Sequence, residues 1–508
     1  MTLSKPAMSA IRFGYGIRPG EPVPDGADAL LAQIARGQKE TLRFPEEGIK
    51  GRWETIGDYQ DQMADIPRDR EARRLAVRPL RKQVFNLCGR DQHARVAQSV
   101  FSPNGFYERL ATFWFDHFSV SVRKRRPMYL YTSLYEAEAI RPHLAGTFTD
   151  LLRHTITHPA MLTYLDQVKS VGPNSRRGQN SERGLNENLG RELLELHTLG
   201  AGSGYTQADV RATSLVLTGL TIDRNNGRTE FRKNLAEPGP IEVKVLGKAY
   251  GGGKRSIEDA HAMLADLAAA PQTAPHICRK LAIHFIADTP PEPLVKAMID
   301  AWTTSDGNLT AVYSAMLHHP AAWENPGEKA RQPYDYIVTG LRAAGLAESA
   351  FAQPVRPDAE NNDDDNAMMA ITPEMAERRK KRVEKRMDRE DMAENRQEQR
   401  ERQKIRPLAN PLTVGAAKKL GQAVWEPPSP EGTEEDFDAW ISTSQLTGRI
   451  AWAQNVAAKV GSRSEPLVLA RTVLLDAARD DTLDVVAQAP SRQAGLSLLL
   501  ASPEFNRR

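Results

Sequence analysis

Glu192, Glu195 and His197 share one leucine-rich run, Asn186-Glu187-Asn188-Leu189-Gly190-Arg191-Glu192-Leu193-Leu194-Glu195-Leu196-His197. Carboxylates beside an imidazole are the side chains of proton transfer. Wound as a helix at about 100° per residue, the run groups Leu185, Leu189, Leu196 and Leu199 on one face and sets Glu192 inside that apolar arc. Asn188 and Glu195 follow one edge, and Asn186 and His197 project from the other. A carboxylate turned towards a core costs several kcal/mol unless something pairs with it. The cluster is therefore either a satisfied internal network or a working site, and the spacing leaves both open.

Other segments offer partners. His117 lies in the aromatic stretch Phe113-Trp114-Phe115-Asp116-His117-Phe118, where it is a hydrogen-bonded core residue or a ligand or acid/base group facing Glu192. His143, His154 and His158 follow on later helices. Asp166 is a candidate second carboxylate. The polar loop Ser170–Gly184 carries Asn174, Arg176, Arg177 and Arg183 into the Asn186 run, where arginines before a helix start can hold a carboxylate or phosphate. The candidate catalytic set is Glu192, Glu195, His117, His197 and Asp166. The candidate substrate-binding set is Asn186, Asn188, Arg191, Asn174, Arg176 and Arg183. A divalent metal, held by His117, Glu192 and His197, is a further alternative, although these residues meet no local ligand spacing and the chain has no HExxH.

Several classes are excluded. Gly251-Gly252-Gly253-Lys254-Arg255-Ser256 fails as a phosphate loop, because Lys248 stands where a glycine is needed and Arg255 where Ser or Thr is needed. There is no GxSxG elbow, CxxC or dinucleotide fingerprint. Two cysteines, Cys88 and Cys278, exclude a disulfide framework. A net charge of +3 over 508 residues gives no reason to expect nucleic acid. No apolar run approaches the roughly 18 residues of a membrane span. The first residues lack a continuous apolar signal region, so the expected compartment is the cytoplasm, with export alongside a partner as the alternative.

Apolar periodicity predicts a mainly α-helical chain. Helices are expected near 27–36, 68–100, 105–118, 128–155, 185–199, 207–219, 256–269, 273–286, 291–303, 308–318, 411–421, 444–460, 466–478 and 492–501. Thr206 with Asp209, and Ser256 with Asp259, read as capping boxes. At most a minor hairpin is expected near 219–246, pairing Thr229–Arg232 with Ile241–Val245. The predicted organisation is a main helical domain over 1–352, a charged insertion over 353–407 (part disordered, part solvated helix), and helices over 408–508 packing back onto the main domain.

The motifs GLNENLGRELLELHTLG, GYTQADV and LTG, with FWFDHFSVS, IRPHLAG, HPAMLTYLD and SVGPNS upstream, resemble the bacterial family known as domain of unknown function 1800. RFGYG near the start, HICRKL and FIAD in the middle, and LASPEF at the end extend the likeness over nearly the whole chain except 353–407. The resemblance implies one mainly α-helical unit and a frequent partner from a co-encoded companion family whose members can carry export signals. It implies no reaction. Two functions fit these residues: an acid/base enzyme, hydrolase-like or metal-assisted, and a non-catalytic assembly or maturation partner of another protein.

Overall fold

Helix-start chemistry fixes much of the framework of the computed structural model, which describes residues 3–241, 244–351, 412–460 and 465–508. Thr206 and Asp209 exchange side-chain and backbone bonds ahead of Gln207–Leu217, and Ser256 with Asp259 does the same ahead of Ile257–Ala268. Each box satisfies amides that a helix start otherwise leaves bare. The expected charged insertion lies outside the described residues. The architecture is mainly α-helical, with a single two-stranded antiparallel sheet among the described residues. No described helix is long and apolar enough to cross a membrane.

Three local expectations change. Thr229–Phe231 is a strand, but it pairs with Leu220–Ile222 rather than with 241–245. The segment between them closes the turn by itself. Asp223 and Asn226 side chains accept from the amides of Asn225 and Arg228, and Gly227 sits at φ +71°, the conformation asparagine- and glycine-rich turns supply. The second change is at 185–199. The helix starts only at Asn188 and, after Glu192, continues as a π turn over Leu193–Thr198. A π turn adds a residue per turn and so rotates the side chains beyond it. Leu193, Leu194, His197 and Thr198 become the buried face, while Glu192, Glu195 and Leu196 come to lie half-buried. Glu192 is thus at the rim of the apolar arc rather than inside it. The helix expected at 128–155 is broken likewise, into Met128–Tyr135, a π turn over Glu136–Ile140, and Phe148–Ile156.

Buried arginines tie distant segments together. Arg12 donates to the carbonyls of Ala322 and Asn325, and Arg342 to those of Val100 and Ser102. The largest such knot is Arg141, whose two terminal nitrogens reach Glu108 at 2.9 and 2.8 Å while its Nε reaches Glu136 at 3.1 Å. Arg95 holds the other oxygen of Glu136 at 3.1 Å, and Trp425 donates its indole N–H to that same oxygen at 2.7 Å. A bidentate guanidinium is the strongest way to neutralise a buried carboxylate. Burial alone raises Glu108, yet Arg141 outweighs it and holds the carboxyl below its usual range. Through Trp425 the knot also anchors the segment from Gly421 to Trp440, which borders a cleft.

Candidate functional site

Two helices face each other with polar stripes. Gly105–His117 presents Arg109, Thr112 and Asp116, and Thr273–Phe285 presents His276, Lys280 and His284 at successive i,i+4 steps, which places them along one face. The Ser429–Glu435 segment lies across the first of these. Ser119 donates its hydroxyl to the carbonyls of Ser429 and Pro430, and Thr433 donates N–H at 3.0 Å and O–H at 2.8 Å to Asp116. Gly432 is required there: its φ is +96° and a Cβ would stand 2.6 Å from Asp116 Oδ2.

Between the helices and this segment opens a cleft of about 120 Å³. Asp116, His284, Glu435, Arg95 and Gln332 contribute polar groups, and Phe115, Tyr334, Trp425 and Trp440 form aromatic walls. Apolar clefts with a few convergent polar groups are the usual form of a small-molecule site.

The two cleft carboxyls are poised apart. Burial, with help from the charge of Glu435, pushes Asp116 up to about 6 despite the Thr433 hydrogen bonds. Burial also acts to raise Glu435, but contacts with His284, Lys329 and Arg109 prevail and hold it at about 2. His284 Nδ1 meets Glu435 at 2.5 Å and its Nε2 meets Arg109 at 3.0 Å. Arginine has no acceptor, so Nε2 must carry the lone pair and Nδ1 the proton donated to Glu435. Lys329 donates to Asp288 at 2.5 Å and to the Glu435 carbonyl at 2.6 Å.

His117 and His197 are brought together, each fully enclosed. His197 Nδ1 donates to the His117 carbonyl at 3.0 Å, and His117 Nε2 donates to the His197 carbonyl at 3.3 Å. Their ring centroids are 5.8 Å apart. Carbonyls only accept, so His197 Nδ1 and His117 Nε2 each carry a proton. Burial, followed by the charge of Lys280, holds His197 down at about 3 and His117 well below the usual imidazole value. Their remaining nitrogens, His117 Nδ1 and His197 Nε2, have no partner among the described residues. These are the atoms a metal would engage, but among the described residues no three His, Cys, Asp or Glu side chains are arranged to hold an ion.

Glu192 is half-buried and raised, by burial first and then by Glu195, and the charge of Glu431 also acts on it. The charges acting on His197 are cationic or imidazole, and Glu192 is not among them. Asp166, in a left-handed conformation at φ 59°, is gripped by Lys124 at 2.9 Å, Arg125 at 2.5 Å and Lys169 at 3.0 Å. These cations overcome burial and hold its carboxyl below the usual range. Asn186 accepts from the Asn188 amide just ahead of the helix, Asn174 donates to Glu237, and Arg191 reaches Gln207. Arg176 and Arg183 are exposed. The candidate binding residues are thus spread along a surface loop, and none of them lines the Asp116 cleft. His158 caps Pro159–Tyr164 and bonds Glu138, while His143 and His154 stack at 3.8 Å.

Sequence reasoning assigns no role to Asp116, Lys280, His284 or Glu435. One signal is present, the i,i+4,i+8 row of His276, Lys280 and His284 on a predicted helix. Nothing local marks Glu435.

A family model described as a protein of unknown function, DUF1800, matches residues 9–507. No curated protein and no solved structure matches the chain.

Proposed function

Because the chain belongs to the DUF1800 family, whose description names no reaction, we propose its chemistry from its own side chains: acid/base catalysis, hydrolytic in character, at the cleft over Asp116. One observation carries this reading. Two carboxyls line the same cleft, one at about 6 and the other at about 2, and environments that push two titratable groups apart assign the acid and the anion. Asp116 exchanges the proton, since a group near the working pH is the efficient donor and acceptor. Glu435 stays ionised, fixes the His284 tautomer and stabilises positive charge developing on the substrate. Glu192, raised and without a hydrogen-bond partner among the described residues, is a second proton carrier at the rim, next to Glu195.

A panel of chromogenic esters, glycosides, amides and phosphate esters tests this, comparing the protein with its Asp116→Asn variant. The expected result is turnover in at least one class and a loss of roughly 10²–10⁴-fold in the variant. Turnover that survives the substitution removes Asp116 from the chemistry.

A different observation favours a second reading, a non-catalytic partner of another protein such as a companion-family member. Of eight exposed large hydrophobic residues among the described ones, five (Leu446, Ile450, Val468, Val485 and Leu498) lie on the helices between Thr443 and Ala501. Large apolar side chains left exposed on one group of helices make that group the candidate interaction surface. Affinity capture from the native host should recover a stoichiometric partner that Val468→Lys with Val485→Lys releases. Recovery of none by the unaltered chain ends this reading.

A further inference from the structure

We infer that Lys280 is a nucleophilic amine that captures a neutral aldehyde or ketone as an imine, using Asp116 as its proton donor. The inference rests on the acid/base reading of Asp116 and names the substrate class for it.

Three features of the surroundings support this. Lys280 stands one helical turn from His276 and one from His284 on the same face, and among the described residues its amine has neither a hydrogen bond nor an ion pair. The buried Lys329 behaves differently, with three partners. Lys280 also keeps part of its surface open. Finally, the imidazoles packed around it bring no counter-charge. His117, His197 and His276 each donate one N–H to a backbone carbonyl and are held neutral. Burial lowers the amine, against the pull of Asp116, Glu435 and Glu431, and a desolvated lysine of this kind is the usual activated amine.

The step balances without a co-reactant. The Lys280 lone pair attacks the carbonyl carbon, and the C=O pair moves to oxygen, which takes the proton lost by nitrogen. The resulting carbinolamine loses its hydroxyl as water, with a proton from the Asp116 carboxyl, as the C–N double bond forms. Hydrolysis of the iminium returns the amine and the Asp116 proton. Asp116, Glu431 and Glu435 are all acidic and disfavour an anionic substrate, which is why the class is neutral.

Reductive trapping of the full chain tests the assignment. Propionaldehyde and, separately, glyoxylate are added with cyanoborohydride at neutral pH, and labelled lysines are located by peptide mass spectrometry. The expected result is labelling of Lys280 ahead of Lys50 and Lys296, whose side chains are 93% and 74% exposed, with propionaldehyde preferred over glyoxylate and Lys280→Arg removing the early label. Labelling of Lys280 no faster than of those exposed lysines overturns the proposal, as does preference for glyoxylate. Asp116→Asn separates the two ideas. Slower trapping at Lys280 supports both, whereas unchanged fast trapping keeps the amine and removes Asp116 as the donor.

Discussion

Replacing Arg141 by alanine is expected to cost the fold about 3–5 kcal/mol, the usual penalty for stranding a buried charge. The guanidinium touches Glu108 through both terminal nitrogens and Glu136 through Nε. All three residues are essentially sealed from solvent. Removing it leaves Glu108 without its bidentate partner and Glu136 with Arg95 and Trp425 alone. The sign with pH is distinctive. Glu108 is normally held low by Arg141, so in the variant its folded-state value rises and protonation relieves part of the cost. The deficit should therefore be largest near neutrality and shrink as pH falls through the carboxylate range. Urea denaturation at several pH values measures it. A loss under about 1 kcal/mol, or one independent of pH, would mean that Arg141 does not compensate these carboxylates.

Asp116→Asn is expected to stabilise the protein at neutral pH while removing the proposed activity. Asp116 has a folded-state value of about 6 against an ordinary 3.8. A carboxyl raised in this way contributes no penalty below 3.8, and its ionisation progressively destabilises the fold as pH rises through about 6. Each unit is worth about 1.4 kcal/mol. Because the residue is partly open to water, the full shift is discounted to roughly 2 kcal/mol. Asparagine keeps an acceptor for Thr433 and does not ionise. Thermal unfolding should show the variant gaining on the parent between pH 4 and pH 7, with the gain complete above 7. A variant that loses stability throughout that window would make Asp116 a structural anchor of the covering segment. Stability gained with function lost is the signature of a strained active-site group.

Much of the framework is legible in the sequence because it depends on local chemistry. The two capping boxes and most helix spans come from residues a few positions apart, and the main helical class comes from their period. The features that escape depend on distant residues or on a change of period. A helical wheel through 185–199 assumes 3.6 residues per turn, and the π turn at Leu193–Thr198 rotates the side chains after Glu192 out of that wheel, so the arc drawn around Glu192 does not form. The hairpin partner differs from expectation because Ile241 and Val245 are buried apolar residues that look like strand positions, whereas the Asp223–Gly227 turn already joins the strands on either side of it. Asp116 is visible as a residue, flanked by the same aromatic side chains that single out His117. Its unusual acidity comes from enclosure by a segment more than 300 positions away, and no reading of neighbours in sequence reaches that far. His117 and His197 do meet, through reciprocal imidazole-to-carbonyl bonds that leave Glu192 outside.

The proposed chemistry requires Asp116 to hold its proton to near-neutral pH, and a carbon-13 titration of the protein labelled at aspartate carboxyls reads that directly. The Asp116 resonance, assigned by its loss in Asp116→Asn, is predicted to shift with a midpoint of about 6. A midpoint near 3.8, the ordinary aspartate value, would contradict the proposed site.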